Sequence, residues 1–202
     1  MDILDTFLTI EEASPEVLFK EKNSKFFGYT FPILAEYDVK IIIENLKIQH
    51  VAACHFCYAY QIGTDKTQYR ANDDGEPNNN AGMPIYGQIQ SYNLTNVLVV
   101  VIRYFGGVKL GVGGLISAYK TTAQMAIEAS GIIQKTINTH FLIQFDYKNI
   151  NVVMRIIKEK KLNIISQKMS ENCKIEISVR KKNAKSIFDV FSGIFEVDII
   201  EI

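Results

Sequence analysis

A glycine-rich segment, residues 103–114, carries the strongest chemical signal in the sequence of 202 residues. It follows an apolar run and opens a predicted helix, and five of its last nine residues are glycine. Backbone N–H groups at the start of a helix bind anions, and glycine lets the backbone approach a ligand closely. The segment therefore predicts an anion site formed by Arg103, Gly106, Gly107, Lys109, Gly111, Gly113 and Gly114.

The spacing of these glycines does not match the known phosphate loops. A Walker loop needs Lys followed by Ser or Thr where Val112 and Gly113 stand, and the dinucleotide-binding pattern is also absent. The alternative interpretation is that the glycines only allow tight turns and close packing of the helix.

An acidic loop places three carboxylates, those of Asp73, Asp74 and Glu76, within four residues. Such crowding suits general acid–base catalysis or oxygen ligation of Mg²⁺. The calcium-loop template fails, because Arg70 and Ala81 occupy its first and last ligand positions. The alternative is a solvated surface turn. These three acids are the Mg²⁺ candidates, but no metal is assigned and no cofactor is predicted.

The segment 50–57 contains two histidines and two cysteines, a composition typical of zinc sites. Strand periodicity argues against zinc, because it directs Cys54 and Cys57 to opposite faces. His55 and Cys57 share a face, so they are candidates for ligand contacts or for a nucleophile with its base. The alternative for Cys57 is core packing of a small thiol. If the protein is an enzyme, the catalytic candidates are His55, Asp73, Asp74, Glu76 and Arg103.

The charge balance limits the classes of partner. The chain has 22 basic and 22 acidic side chains, split as −3 over residues 1–137 (11 basic, 14 acidic) and +3 over residues 138–202 (11 basic, 8 acidic). These excesses are too small for a duplex-DNA binder. The basic groups at residues 158–161 and 180–185 can touch RNA, or they are solvated helix ends.

The sequence also predicts a cytoplasmic protein with reduced thiols. Acidic residues stand where a signal peptide needs basic ones, and the three cysteines are an odd number. The longest aliphatic run, residues 97–102, is far shorter than the roughly 18–20 residues of a membrane helix. No membrane contact is expected.

The elements that must position these residues fall into two predicted domains of an α+β protein, 1–134 and 135–202. In the second, alternation and helical periodicity predict the order β-α-β-β-α-β, the ferredoxin-like arrangement. In the first, they predict a hairpin, a helix and a strand, then a polar stretch over 63–80, a short helix, a buried strand, the glycine-rich segment and a helix. The residues that define the second-domain pattern are Phe141, Ile143, Phe145, Val153, Ile157, Ile175, Ile177, Ile187, Phe191, Val197 and Ile199.

Five uncommon motifs follow one another between residues 15 and 130. In this order and spacing they resemble the YigZ/IMPACT family, and the resemblance extends weakly into the C-terminal region. The motifs are Lys22-x-Ser24-x-Phe26, His55-x-Cys57-x-Ala59-Tyr60, Asp73-Asp74-Gly75-Glu76-Pro77, Ala81-Gly82-x-Pro84, and Arg103-Tyr104-Phe105-Gly106-Gly107-x-x-Leu110-Gly111-x-Gly113-Gly114-Leu115 with Ala118-Tyr119.

The resemblance implies a fold and a field of activity. It implies an N-terminal domain similar to the second domain of a small-subunit ribosomal protein, and a C-terminal domain similar to the last domain of elongation factor G. Eukaryotic members regulate translation by binding a large activator of the amino-acid-starvation eIF2α kinase. Bacterial members have no established activity, and the ligand set of a proline dipeptidase is not evident in this sequence. Residues 78–80 are Asn-Asn-Asn where the family commonly has Ser-Gly-Thr or Ala-Gly-Thr.

Three functional hypotheses remain open at this stage. The first is a cytoplasmic regulatory protein linked to translation, with the ribosome, RNA or a translation-related protein as its partner and a small anion as a further ligand. Its groove comprises the acidic loop, the His55/Cys57 strand face and the glycine-rich segment. The second is a hydrolase or phosphoryl-transfer enzyme that uses the acidic loop and the glycine-rich segment. The third is a structural interaction module.

Overall fold

The protein, described here over residues 5–202 from a computed structural model, divides into two compact units. The N-terminal unit comprises residues 7–135, and the C-terminal unit comprises residues 136–202 with Asp5 and Thr6. Within residues 5–202, no helix has the length and apolar character needed to span a membrane.

A five-stranded antiparallel sheet forms the centre of the N-terminal unit, in the order β2-β3-β6-β4-β5. Central strand β6 consists almost entirely of aliphatic residues, and all six from Val97 to Ile102 are fully buried. Such a continuous apolar run requires cover on both faces of the sheet. The strands are β2 (Val17–Glu21), β3 (Ser24–Pro32), β4 (His55–Ile62), β5 (Gln68–Asn72) and β6 (Val97–Tyr104).

Helices cover both faces of this sheet. Helix α1 (Glu36–Gln49) packs on one face, where Val39 and Leu46 join a core with Val100 of β6. Helices α2 (Gly82–Ser91) and α3 (Gly111–Glu128) pack side by side on the other face. The second face carries Phe26, Cys57 and Tyr119.

Three strands of the N-terminal unit lie outside the sequence-based prediction. The stretch 63–80 was expected to be polar and irregular, but it contains β5, an edge strand whose residues Gln68, Tyr69 and Arg70 are exposed. Strands β1 (Thr6–Ile10) and β7 (Ile132–Thr136) pair with each other as a separate ribbon. The residues of β5 and β7 are mostly exposed, so these two strands show no clear apolar alternation and periodicity does not predict them.

The C-terminal unit has the ferredoxin-like order expected from the sequence. Its sheet runs β11-β8-β10-β9, and the helices contribute Val153 and Phe191 to one core with Ile143 and Ile175 of the central strands. The mixed α+β class is thereby confirmed. The elements are β8 (Asn138–Asp146), a short 3₁₀ helix (Tyr147–Asn149), α4 (Ile150–Glu159), β9 (Asn163–Lys168), β10 (Asn172–Arg180), α5 (Lys181–Ser192) and β11 (Val197–Glu201).

Candidate functional site

The register of three neighbouring strands places Phe26, Arg103 and His55 in one row across the sheet. Arg103 of β6 is directly opposite Phe26 of β3 on one side and His55 of β4 on the other. Residues directly opposite in a sheet project to the same face. This row lies on the face covered by α2 and α3, where Phe26 is fully buried.

The acidic loop follows β5 and reverses direction at two residues of positive φ, Asp74 (φ 40°) and Gly75 (φ 86°). Asp73 points toward α2: its carboxylate accepts hydrogen bonds from the backbone N–H groups of Asn79, Ala81 and Gly82, at 2.9, 3.0 and 2.8 Å. These are donors at a helix start, which have no acceptor within the helix. Asp73 therefore caps α2.

Asp74 fixes the acidic loop to β4. Its carboxylate accepts the N–H of Phe56 at 2.6 Å, and its own N–H donates to Asn72 Oδ1 at 2.7 Å. Its carbonyl oxygen lies 2.8 Å from Nδ1 of His55. Because a carbonyl only accepts, Nδ1 carries the proton, and Nε2 of the neutral ring is an acceptor.

Glu76 is the centre of a buried polar cluster. Its Oε1 accepts hydrogen bonds from Arg103 Nη1 at 2.6 Å and from the Tyr119 hydroxyl at 2.8 Å, and Nε2 of His55 lies 4.0 Å away. Glu76 and Arg103 are only 8% and 5% exposed. The cluster joins the acidic loop, β6 and α3 through one carboxylate.

The Arg103 guanidinium is enclosed by two aromatic rings. Its carbon Cζ lies 5.5 Å from the centre of the Phe26 ring and 5.4 Å from that of Phe105. Its Nε has no hydrogen-bond partner among residues 5–202. The positive charge is thus neutralised by Glu76 inside the protein, and direct anion binding by Arg103 stays a prediction.

Cys57 is a buried part of the same cluster. Its Sγ lies 3.0 Å from the carbonyl oxygen of Asp73 and 3.3 Å from the Tyr119 hydroxyl. Burial raises the pKa of the Cys57 thiol, so the group stays protonated. A neutral, enclosed thiol is a poor nucleophile. Burial also raises the pKa of Tyr119, with Cys57 and Glu76 adding to the effect, so its hydroxyl remains a donor to Glu76.

Gly106 is required by close packing of two backbones. Its N–H donates to Ser24 Oγ at 3.2 Å, and an added Cβ would lie 2.1 Å from the carbonyl carbon of Asn23. No side chain fits at that distance. Close packing of the two backbones therefore explains why residue 106 is a glycine.

Gly107, Gly111 and Gly113 face open space, whereas a Cβ at Gly114 would lie 3.1 Å from Cβ of Leu110. Gly107 and Gly111 have positive φ (82° and 74°), which favours glycine at these turns. A Cβ at Gly113 would meet no atom within 4 Å, and the residue is exposed. Neither crowding nor positive φ explains a glycine at position 113.

Helix α3 begins with three exposed residues, Gly111, Val112 and Gly113. Its N-cap residue, Leu110, makes no side-chain hydrogen bond to the helix. The sequence from residue 77 to residue 127 contains no aspartate or glutamate. The first N–H groups of α3 therefore present a positive helix end that no carboxylate of this segment neutralises.

Exposed apolar side chains surround this helix start. Phe105 is 48% exposed, Val108 45% and Val112 61%. We call the region formed by Phe105, Val108, Lys109, Val112 and Gly113 the glycine-loop surface. It combines apolar contact area with N–H donors and one cation.

The structure brings together most, but not all, of the residues singled out from the sequence. His55, Glu76 and Arg103 meet in one cluster, whereas Asp73 and Asp74 have separate structural partners. Residues 5–202 include no group of three or more His, Cys, Asp or Glu side chains arranged to hold a metal ion. Mg²⁺ binding by the acidic loop therefore stays a prediction, without a formed ligand set.

Tyr119 is a cluster member that is not among the site residues predicted from the sequence. It belongs to the fifth motif of the sequence, and its side chain is fully buried. A buried tyrosine hydroxyl needs a partner, so its position just after the glycine-rich segment was the available signal.

Comparisons with known proteins agree with this architecture. The family model described as the Impact N-terminal domain matches residues 22–127. The IMPACT family member YvyE of Bacillus subtilis is 31% identical over 184 residues, which cover 91% of this chain and 84% of its own. An IMPACT family member of Haemophilus influenzae is 30% identical over 194 residues, or 92% and 94% of the two chains. A crystal structure described as a hypothetical protein shares the fold, with a TM-score of 0.75, 22% identity and coverage of 99% and 98%.

Proposed function

Since this chain belongs to the IMPACT family, as the family model and its relatives establish, we propose that it is a cytoplasmic regulatory protein linked to translation. In this proposal it acts by binding a ribosome, an RNA or a translation-related protein, and the glycine-loop surface makes the contact. The resemblance of its motifs to eukaryotic translation regulators motivates the link to translation.

The observation that carries the proposal is the closed Glu76–Arg103–Tyr119 cluster. Both hydrogen bonds to Glu76 Oε1 are formed within the protein, and the groups involved are buried. A buried, hydrogen-bonded cluster of this kind holds its surroundings rigidly, and its charged groups are used on each other. It supports a role in which these residues present the adjacent loop to a partner.

The exposed groups of the glycine-loop surface indicate which chemical groups the partner carries. Exposed N–H groups at the start of α3, together with Lys109, suit an anionic group, either phosphate or carboxylate. Phe105 and Val112 suit an apolar surface beside that anion. In this arrangement Arg103 positions Phe105 by stacking on its ring.

Substitution of Gly113 by Asp tests the proposal. A carboxylate in the first turn of α3 interacts favourably with the positive end of the helix dipole, so Gly113→Asp should be at least as stable as the parent protein. The same carboxylate repels an anion, so co-sedimentation with ribosomes or RNA should be lost. Asn45→Asp, an equal charge change on exposed α1 across the sheet, is the matched control.

Two results would contradict the proposal. One is parent-like co-sedimentation of folded Gly113→Asp. The other is an equal loss in Asn45→Asp, which would indicate non-specific repulsion. Either result favours a structural interaction module.

A hydrolase or phosphoryl-transfer enzyme is the second candidate, and His55 is the observation that favours it. The Asp74 carbonyl orients the ring, and Nε2 lies 4.0 Å from Glu76 Oε1 with a quarter of the His55 side chain exposed. An oriented imidazole of this kind can act as a general base. A screen against nucleotides, phosphoesters and prolyl dipeptides, with and without Mg²⁺, tests it; any turnover should vanish in His55→Gln.

A further inference from the structure

The C-terminal unit contains a polar cavity. The cavity has a volume of about 450 Å³ and lies where α4 ends and α5 begins. This volume is within the range of small-molecule sites in proteins. Its polar lining includes Lys160, Lys161, Arg180, Asn163, Asn183 and Ser186.

The lining is cationic and contains no carboxylate. Lys160 and Lys161 are exposed, so both ammonium groups are available to a ligand. Arg180 uses Nε and Nη2 on the carboxylate of Asp5, and its Nη1 has no partner among residues 5–202. Lys160 and Lys161 are two cations without an acid among the lining residues, and Arg180 adds an N–H donor although Asp5 balances its charge. This set disfavours a cationic ligand and favours an anionic one.

Neutral groups complete the donor set. The amide side chains of Asn163 and Asn183 and the hydroxyl of Ser186 can each donate a hydrogen bond to an oxygen of an anion. The 12-residue helix α5 begins at this cavity, and its N-cap side chain forms no hydrogen bond to the helix. The N–H groups of Lys182 and Asn183 therefore lack an intrahelical acceptor and add to the positive potential.

We propose that this cavity is a phosphate-binding site. Several donors converge on one volume, which suits the multiple acceptor oxygens of a phosphate better than the two oxygens of a carboxylate. The phosphate belongs either to a small molecule or to a single-stranded RNA, and the two sources are separated by experiment. The proposal does not depend on the role of the glycine-loop surface.

Calorimetric titration of the full-length protein tests the site, with inorganic pyrophosphate in one arm and a single-stranded decauridylate RNA in the other. Asn183→Asp places a carboxylate in the lining and should weaken binding about tenfold or more. The first turn of a helix favours an acid, so the thermal midpoint should not fall. Lys160→Gln with Lys161→Gln should weaken binding to a similar degree.

Lys168→Gln with Lys174→Gln is the matched control. It removes the same two charges from a pair of exposed, opposed residues of β9 and β10 outside the cavity lining. Its affinity should stay within about twofold of the parent protein if the cavity, rather than net charge, binds the ligand. If the parent protein binds pyrophosphate and Asn183→Asp does not, the phosphate comes from a small molecule. If the parent protein binds only the RNA and Asn183→Asp does not, the phosphate comes from single-stranded RNA. No binding in either arm, or equal weakening in the control, overturns the proposal.

Discussion

Glu76 and Arg103, 27 positions apart in the sequence, form a buried ion pair in which Arg103 Nη1 lies 2.6 Å from Glu76 Oε1. The pair ties the acidic loop to the end of central strand β6, next to the glycine-rich segment. Tyr119 donates to the same oxygen from α3. Three segments that look independent in the sequence are therefore one structural unit.

Breaking this ion pair should destabilise the protein strongly. Glu76→Gln and Arg103→Met should each lower the free energy of unfolding by about 3–5 kcal/mol, because each weakens or removes one partner of a buried pair. The double variant should lose less than the sum, since it leaves no unpaired buried charge. Urea denaturation measures all three values.

The exposed pair Arg155–Glu159 provides the control. Its atoms are 4.0 Å apart and both side chains are more than 60% exposed. Glu159→Gln should cost less than about 0.5 kcal/mol. Similar losses of unfolding free energy in Glu76→Gln and Glu159→Gln would show that burial does not make the Glu76–Arg103 pair more important for stability.

Gly106 and Gly113 should respond oppositely to alanine. Gly106→Ala forces a Cβ against the backbone of Asn23 and should cost about 2–3 kcal/mol. Gly113→Ala adds a methyl group in open space inside α3 and should stabilise by about 0.5–1 kcal/mol. Thermal unfolding of the two variants checks the contrast, and a destabilised Gly113→Ala would mean that the glycine has a local structural role.

Thiol reactivity should distinguish the three cysteines. Cys54 is exposed, whereas Cys57 and Cys173 are buried, and burial raises the pKa of Cys57. A disulfide reagent at neutral pH should therefore modify one thiol rapidly in the native protein and three in denaturant. Cys54→Ser should abolish the rapid phase; a rapid phase that survives would assign a reactive thiol to the core.

Tyr60 should make the stability pH-dependent in the alkaline range. Burial, and then its hydrogen bond to Glu36, raise the pKa of Tyr60 to about 12. An unfolded tyrosine titrates near 10. The Tyr60 contribution to folding is thus complete below pH 10 and is lost as the pH rises from 10 to 12.

Unfolding of Tyr60→Phe between pH 8 and pH 12 measures this contribution. The variant should lose stability less steeply above pH 10 than the parent protein. Glu36→Gln removes the nearby negative charge and should lower the pKa of Tyr60, which also reduces the slope. Parallel pH curves for the parent and Tyr60→Phe would contradict the expectation.

The local pattern of apolar residues in the sequence predicts most of the fold. The alternation of Phe141, Ile143 and Phe145 and the helical spacing of Val153 and Ile157 predicted their elements, because each depends on neighbours within a few residues. Edge strand β5 was missed, since its exposed residues carry no such pattern. Even so, the ferredoxin-like order was predicted from the sequence and confirmed by the sheet.

The sequence by itself determined which segments carry unusual chemistry: the acidic loop, the His55/Cys57 strand and the glycine-rich segment. Only the tertiary structure decided that Asp73 caps a helix, that Asp74 holds β4, and that Glu76 neutralises Arg103. These pairings depend on strand register and on the turn at Gly75, which bring together groups distant along the chain. Residue type shows what a group can do chemically, but its partner depends on which elements pack against it.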